Sequence, residues 1–123
     1  AINAAAVTLL TAKNSVISVN GNIAALCPKE IIQLAKITKS KIEVNLFYHN
    51  EDRKKKIVKH LKNAGAKQVL GTNPRSNRKI IGIDSPRRII DKDGIFAADV
   101  ILIPLEDGDR TQALKNAGKT IIT

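Results

Sequence analysis

Methionine and tryptophan are missing from this sequence of 123 residues, and its aromatic side chains are limited to two phenylalanines and one tyrosine. The hydrophobic core must therefore be built from Ile, Val, Leu and Ala, which favours stacked strands and helices. Cysteine is nearly absent as well. The single Cys27 excludes an internal disulfide and a zinc site made of several cysteines. We therefore expect a protein of a reducing, cytoplasmic compartment.

Long apolar runs and several well-known binding motifs are also missing. No stretch approaches the roughly eighteen apolar residues that span a bilayer, so we expect no membrane segment. No Gly-x-Gly-x-x-Gly follows a strand, and neither a Gly-x-x-x-x-Gly-Lys-Ser/Thr loop nor a Gly-x-Ser-x-Gly elbow occurs. His49 and His60 show no metal-ligand spacing. These absences argue against ordinary dinucleotide binding, P-loop binding and a metal centre built on histidine.

Acidic residues are few in comparison with basic ones, 11 against 21, which gives a formal net charge of +10. Such a charge favours an anionic partner: nucleic acid, a phosphorylated metabolite or an acidic protein surface. The length suits one domain. Because the chain starts within an apolar run and ends on a strand-like segment, we predict a single α/β domain over residues 1–123 that is incomplete at both ends.

Apolar periodicity and turn-forming residues divide the chain into alternating elements. Predicted helices cover residues 4–13, 28–38, 51–63 and 109–117, and predicted strands cover residues 16–19, 41–48, 67–71, 100–104 and 120–123. An extended loop with short ordered pieces is predicted for residues 72–90, and a short helix for residues 91–99. The order strand, helix, strand predicts an α/β layered domain with a largely parallel sheet and helices on its faces.

Ligands of open parallel sheets bind beyond the carboxyl ends of the strands, and the exit at residues 105–111 is the richest in polar groups. Gly108 frees the backbone there, and Arg110 adds a cation to a predicted helix N-terminus that can take an anion. Three carboxylates crowd the same turn and suit magnesium or an amine substrate: Glu106, Asp107 and Asp109. An alternative of similar weight is that Asp109 only caps the helix and the other acids are solvated.

The two other strand exits carry asparagines. Asn20, Gly21 and Asn22 offer amide groups around a flexible glycine, which suits a polar ligand group, although an ordinary turn explains them at least as well. Asn45 alternates with apolar residues in a strand, and Glu43 lies on the same face by the two-residue period. As a pair they could orient a substrate hydroxyl or amine. A hydrogen bond at the sheet edge is the alternative.

Basic residues form two groups. One lies on the predicted helix of residues 51–63, and we interpret most of it as a solvated face: Arg53, Lys54, Lys55, Lys56, Lys59 and Lys62. The other lies in the irregular segment and is the better candidate for an anion site, although an interface or plain solvation explains it equally well: Arg75, Arg78, Lys79, Arg87 and Arg88.

Residues 16–26, 41–48 and 98–114 closely resemble the archaeal phosphopantothenate synthetase family, the 4-phosphopantoate–β-alanine ligases. The run Pro-Leu-Glu-Asp-Gly-Asp-Arg-Thr within the third stretch is the most specific part of the likeness. The resemblance runs nearly end to end of this chain but covers only the middle of the family's longer polypeptide. It implies a Rossmann-like fold and a homodimer.

The resemblance also implies a reaction, that of an ATP-dependent ligase of coenzyme A biosynthesis. ATP would activate the carboxylate of 4-phosphopantoate as an acyl-adenylate with release of pyrophosphate. The amine of β-alanine would then form the amide of 4'-phosphopantothenate and release AMP. Magnesium is the expected companion of ATP. The main ATP-contacting segments are expected outside this chain, so no cofactor-binding residue is assigned within it.

Together with the strand exits, the resemblance implies a set of site residues. The expected catalytic residues are Asp107, Asp109 and Arg110, and the expected substrate-binding residues are Asn20, Gly21, Asn22, Glu43, Asn45 and Thr111. Arg110 and the Thr111 amide would take a phosphate or carboxylate. Asp107 or Asp109 would take magnesium or the β-alanine ammonium. The asparagines would contact the pantoate hydroxyls.

Two other classes of function stay open on the sequence. The charge suits a basic α/β nucleic-acid-binding module, although the aromatic stacking platform of single-strand binders is missing, as are zinc and helix-turn-helix signatures. Nucleic acid is therefore the less favoured partner. A non-catalytic nucleotide-binding protein of the same fold is the other class, and turnover rather than binding separates it from a ligase.

Overall fold

The computed structural model describes residues 2–46, 50–106 and 108–123, so that predictions for residues 47–49 and Asp107 lie outside the described residues. The helices are α1 (Ile2–Thr11), α2 (Gly21–Leu26), α3 (Pro28–Thr38), α4 (Glu51–Asn63) and α5 (Asp109–Asn116). The strands are β1 (Ser15–Val19), β2 (Lys41–Val44), β3 (Asn77–Lys79), β4 (Ile89–Asp91), β5 (Val100–Leu102) and β6 (Thr120–Ile122).

Four parallel strands form the main sheet in the order β2-β1-β5-β6. Within it β1 lies between two partners, since Val16 pairs with Lys41 of β2 on one side and with Ile101 of β5 on the other. The outer strand β6 pairs with β5, and β3 and β4 form a separate antiparallel pair. The predicted α/β domain with a largely parallel, Rossmann-like sheet is confirmed.

The two faces of β1 build the two halves of the core. Ile17 and Val19 belong to a cluster with apolar side chains of α2, α3 and α4. Val16 belongs to the opposite cluster, which includes Leu114 of α5. Because successive side chains of a strand alternate between faces, the buried Ser18 lies on the Val16 face, the side that α5 covers.

Local signals set the ends of α3 and α4 as predicted. Pro28 is the first residue of α3, where its missing N–H has no helical partner to lose. The side chain of Asn50 caps α4 by accepting a hydrogen bond from the Arg53 amide at 3.1 Å. Gly65 follows α4 with φ +119°, a conformation that glycine adopts without steric cost and that ends the helix.

The strand predicted at residues 67–71 is reduced to a single parallel bridge between Leu70 and Glu43. Gly71 explains why the pairing stops. Its φ is +116°, and a Cβ atom at this position would lie 2.6 Å from the Val44 carbonyl oxygen. The backbone therefore turns where a continuing strand would have to run, and only a glycine permits so close an approach.

Two further segments differ from prediction. Residues 72–90, predicted as an extended loop, contain β3 and the start of β4, with Arg78 opposite Ile90. Residues 91–99, predicted as a short helix, contain only the 3₁₀ turn Ile95–Ala97. Pieces of three residues are too short to show a period in the sequence. Among the described residues, no helix has the length and apolar character needed to cross a membrane.

Candidate functional site

Two of the predicted strand exits are joined directly by Asn20, the residue after β1. Its side-chain oxygen accepts the Ile23 amide at 3.0 Å and so caps α2, and its side-chain nitrogen donates to the Pro104 carbonyl at 3.2 Å. The exits of β1 and β5 therefore share one edge of the sheet. Asn20 is buried, and its side-chain oxygen and nitrogen each make one of these hydrogen bonds, so it connects the ends of β1 and β5.

A buried arginine–carboxylate cluster lies at the same edge. Glu106 Oε1 accepts from Arg87 Nη2 at 2.6 Å, and Glu106 Oε2 accepts from Arg110 Nε at 2.8 Å. Arg110 Nη2 also donates to the Ser18 hydroxyl at 2.9 Å. All three charged side chains are at least nine-tenths buried. The single carboxylate of Glu106 thus holds two guanidinium groups in place.

Asn45 is the second support of this cluster. Its side-chain oxygen accepts from Arg87 Nε at 2.8 Å, and its side-chain nitrogen donates to the carbonyls of Arg87 and Ile89 at 3.3 and 3.2 Å. The Asn45 carbonyl accepts a further bond from Arg87 Nη2 at 3.3 Å. Its amide therefore positions Arg87 and uses its nitrogen as a donor to two backbone carbonyls, while the contact with a pantoate hydroxyl expected from the sequence stays a prediction.

Two guanidinium groups of the cluster share one carboxylate, that of Glu106. Burial alone would raise the pKa of Glu106, but the hydrogen bonds and charges of Arg110 and Arg87 hold this pKa below its ordinary value. Burial and the Arg110 charge lower the pKa of Arg87. Glu106 therefore stays ionised and forms charge-assisted hydrogen bonds with both arginines.

Two buried polar atoms next to the cluster have no hydrogen-bond partner in the described part of the chain. They are Arg110 Nη1 and the Thr111 hydroxyl, both in the first turn of α5. A buried donor that is left unpaired costs roughly 1–3 kcal/mol, so native structures rarely contain one without a reason. A cavity of about 280 Å³ adjoins Arg110, and its wall also includes Ile83, Asp84, Ser85, Arg87, Glu106, Gly108 and Asp109; Thr111 is the next residue of α5. Arg110 and Thr111 are therefore the best-placed groups for an anionic ligand.

Asp109 is the first residue of α5 and not its cap, which corrects the capping prediction by one position. Gly108 occupies the cap with an extended backbone, φ −177°, and makes no side-chain cap. The exposed Asp109 side chain belongs to the wall of the cavity, where a carboxylate can meet a cationic ligand group. Asp107, the other carboxylate assigned to this role, lies outside the described residues.

Magnesium finds no protein site in the part of the chain that the structure describes. No group of three or more His, Cys, Asp or Glu side chains comes together there. Glu106, one of the carboxylates suggested for the metal by the sequence, is committed to Arg87 and Arg110. The donor set at this edge fits an anion better than a cation.

Glu43 does not pair with Asn45, contrary to the sequence-based hypothesis. Its carboxylate accepts the backbone amides of Asp91 at 3.1 Å and Ile95 at 2.8 Å, and its residue is 1% exposed. It therefore fastens the segment after β4 to the main sheet, which is a structural role. Burial raises the pKa of Glu43 from 4.5 to about 7, partly opposed by the two amide hydrogen bonds.

This raised pKa predicts a pH-dependent contribution to stability. The folded protein binds a proton on Glu43 more tightly than the unfolded chain, so the contribution is present below pH 4.5 and is lost as the pH rises towards 7, by on the order of 3 kcal/mol. Glu43→Gln should flatten the unfolding free energy between pH 5 and 7.5, measured by urea denaturation. Asp93→Asn, an exposed control, should keep the wild-type slope. An unchanged slope in Glu43→Gln would refute the assignment.

Gly21 and Asn22 do not join the arginine–carboxylate cluster. Gly21 opens α2 and packs against the guanidinium of Arg53, and Asn22 is exposed. Neither residue is in the wall of the 280 Å³ cavity.

Ser18 and the role of Arg87 were missed by sequence reasoning. Arg87 was only one of several loop cations, and no local pattern distinguished it from Arg88, which is paired with Asp84 at the surface.

The fold and this cluster define a parallel α/β domain with a buried arginine–carboxylate site at the carboxyl edge of its sheet, the edge at which such domains bind their ligands. Comparison with known proteins identifies the family of this chain. The whole chain, residues 1–123, matches the family model of phosphopantothenate/pantothenate synthetases. The chain belongs to this family, as the resemblance of its three stretches predicted.

Several curated relatives carry the name 4-phosphopantoate–β-alanine ligase. The protein of Thermococcus onnurineus is 49% identical over all of this chain and 47% of its own length, and that of Methanosarcina mazei is 49% identical over 98% of this chain and 46% of its own length. The protein of Thermococcus kodakarensis is 48% identical over all of this chain and 47% of its own length. The chain thus spans about half the length of the curated relatives it matches.

Proposed function

We propose that the protein carrying this chain is an ATP-dependent ligase that joins 4-phosphopantoate and β-alanine to give 4'-phosphopantothenate, with AMP and pyrophosphate as the other products. Family membership supports this class of reaction. The observation that carries it at the level of residues is the buried Arg110 Nη1, which has no hydrogen-bond partner among the described residues and belongs to a side chain in the wall of the 280 Å³ cavity. The hydroxyl of the adjacent Thr111 has no partner among these residues either.

Arg110 is proposed to contact an oxyanion of 4-phosphopantoate, its carboxylate or its phosphate. The guanidinium is held in one orientation because Nε is bound to Glu106 and Nη2 to Ser18, which leaves Nη1 for the ligand. Fixing a donor in advance lowers the entropic cost of aligning the carboxylate for reaction. Glu106, Ser18 and Asn45 are then positioning residues. Asp109 is proposed to attract the β-alanine ammonium at the cavity wall.

ATP and magnesium enter this proposal as co-substrate and counter-ion, bound mainly by parts of the protein outside this chain. ATP supplies the activation of the carboxylate. Magnesium accompanies the nucleotide phosphates, since the described residues offer it no cluster of ligands. A homodimeric, cytoplasmic enzyme of coenzyme A biosynthesis is part of the same proposal.

The direct test is turnover by the full-length protein supplied with ATP, magnesium, 4-phosphopantoate and β-alanine. Equal amounts of AMP and 4'-phosphopantothenate are expected, quantified by mass spectrometry, and leaving out β-alanine should abolish the amide product. Formation of ADP in place of AMP would contradict the adenylate route. Binding of ATP without any product would instead support a non-catalytic nucleotide-binding protein.

Thr111→Val tests the buried hydroxyl for which the described part of the chain offers no hydrogen-bond partner. Valine has nearly the same shape, so the free energy of unfolding should stay equal or rise by up to about 1 kcal/mol, because a buried polar group without a partner is removed. The value of kcat/KM for 4-phosphopantoate should fall roughly tenfold if this hydroxyl binds substrate. Thr8→Val in α1, far along the chain from the site, is the control for activity. A drop in stability with unchanged kcat/KM would show a structural hydroxyl.

A further inference from the structure

The wall of the cavity beside Arg110 includes an apolar side chain. Among the described residues of this wall only Ile83 is apolar, while the others are charged or are serine or glycine. Ile83 is half-buried, so part of its side chain is fixed within the protein and part is open to the cavity. In ligand sites polar groups fix the orientation of a molecule, and apolar side chains contact its carbon atoms. The wall therefore combines the Arg110 donor with a contact for hydrocarbon.

The buried part of Ile83 is anchored to the core beside α5. Ile83 packs against the hydrophobic cluster that includes Ala113 of this helix. The preceding Gly82 has φ +101°, and a Cβ atom at this position would lie 4.0 Å from the Ala113 Cβ, in ordinary van der Waals contact. Ala113 follows Arg110 by three residues and so lies on the same face of the helix. These contacts place Ile83 next to the turn that carries Arg110.

The loop that carries Ile83 is also fixed at its ends. The Ile80 amide donates to the Arg88 carbonyl at 2.7 Å, which closes the loop of residues 81–87. At its far end Arg87 belongs to the arginine–carboxylate cluster. A contact that is held in place before a ligand arrives costs little entropy when the ligand binds. Ile83 is thus a preorganised apolar group at the site.

The substrate 4-phosphopantoate has the chemistry that such a wall recognises. Its carboxylate and its phosphate lie at the two ends of a short carbon chain, and a carbon atom between them carries two methyl groups. With either oxyanion on Arg110, these methyl groups lie a few bonds away from the guanidinium. The cavity, of about 280 Å³, is close to the lower limit of roughly 300 Å³ for small-molecule pockets, so the methyl groups stay near its wall.

We propose that Ile83 is a specificity-determining residue, whose exposed carbons contact the geminal methyl groups of 4-phosphopantoate. This inference rests on the proposed function and names the contact by which the site selects a branched substrate. Its physical basis is hydrophobic burial, which needs apolar carbon on both partners. The preference for the branched substrate therefore depends on the methyl groups and on the Ile83 side chain together.

The test compares 4-phosphopantoate with 2-hydroxy-4-phosphooxybutanoate, the analogue that lacks both methyl groups, in kinetics of the full-length protein. Wild type should prefer 4-phosphopantoate in kcat/KM by about tenfold or more, since one missing methyl group costs on that order in an apolar site. Ile83→Ala should lower kcat/KM for 4-phosphopantoate by about tenfold and that for the analogue by less than about threefold. The variant thus loses most of the preference.

Ile81→Ala is the matched control. It makes the same chemical change in the same loop, but Ile81 is 92% exposed and is not in the wall of the cavity. The preference should stay within about twofold of wild type. An equal fall of kcat/KM for both compounds in Ile83→Ala would show a structural role and overturn the proposal. A wild type that does not distinguish the two compounds would overturn it as well.

Ile83→Val keeps the test decisive if Ile83→Ala fails to fold. Valine retains the branched shape and removes one carbon, so the packing on the core is largely kept. The preference for 4-phosphopantoate should fall by about threefold, in line with the loss of one buried carbon. An unchanged preference in this variant would contradict the proposed contact.

Calorimetric titration separates this inference from the proposed ligase reaction. The Kd values of the two compounds need no turnover, and Ile83→Ala should raise the Kd of 4-phosphopantoate about tenfold and leave that of the analogue nearly unchanged. A failed ligase assay together with this difference in binding would contradict the reaction and support the contact. Turnover with a preference that does not depend on Ile83 would contradict the contact and support the reaction.

Discussion

Replacing Glu106 by glutamine should lower the free energy of unfolding by roughly 3–5 kcal/mol, because it removes the negative charge that two buried guanidinium groups share. Arg87 and Arg110 lie 2.6 and 2.8 Å from this carboxylate, and the three side chains are 4–7% exposed. Water therefore cannot reach the two guanidinium groups to stabilise them in place of the carboxylate. Urea denaturation followed by circular dichroism at pH 7 measures the effect.

The matched control is a salt bridge of the same length at the surface. Arg88 and Asp84 are 2.6 Å apart, but Asp84 is fully exposed, so Asp84→Asn should change stability little. A loss below about 1 kcal/mol in Glu106→Gln would contradict the role of the buried cluster. Added salt should reduce the small effect of Asp84→Asn and leave that of Glu106→Gln largely unchanged, since buried pairs are poorly screened.

Replacing Arg110 by lysine should lower kcat/KM for 4-phosphopantoate by about 100-fold, although the positive charge is kept. Lysine cannot reproduce the planar fork that binds Glu106 through Nε and Ser18 through Nη2 and directs Nη1 towards the ligand. The expected loss corresponds to one charged hydrogen bond of roughly 1.5–3 kcal/mol together with poorer alignment. Steady-state kinetics on folded protein measures it.

Two variants separate ligand contact from packing at this position. Ser18→Ala removes the acceptor of Nη2 but not the Nη1 donor, so its effect on kcat/KM should stay below about tenfold. Arg88→Lys makes the same chemical change in a partly exposed arginine and should leave kcat/KM within about twofold. Unchanged KM and kcat in Arg110→Lys would exclude the proposed contact with the substrate oxyanion.

Most helices of the domain could be predicted because their signals are local, but α2 (Gly21–Leu26) was missed, since its first residues were interpreted as a turn. Pro28, Asn50 and Gly65 act on backbone groups within a few residues of themselves, and α3 and α4 begin and end where these residues indicate. The prediction at residues 67–71 was wrong for a non-local reason. Strand pairing there stops where Gly71 meets the Val44 carbonyl, a contact between distant segments that no window of the sequence contains.

The candidate site was predictable in part. Arg110 and Glu106 lie four residues apart in the run with the strongest family likeness, so their proximity follows from a helical turn and a strand exit. The role of Glu43 was misjudged. The two-residue period places Glu43 on the same strand face as Asn45, but it does not show which groups of other segments pack against that face. In the folded chain Asp91 and Ile95 present their amides to Glu43, while Arg87 faces Asn45.

The amino-acid pattern therefore accounts for the α/β class, the parallel sheet, most helix ends and the family, since these depend on periodicity, capping and a contiguous run of residues. The charged cluster required the folded chain, and so did the burial of Lys54 in α4, which the sequence placed on a mostly solvated face. Arg87 is 19 residues from Glu106 and 42 from Asn45, and nothing in its neighbourhood separates it from the solvated Arg88. A charged side chain becomes a site through burial and through partners brought from distant segments, which are properties of the tertiary packing and not of local sequence.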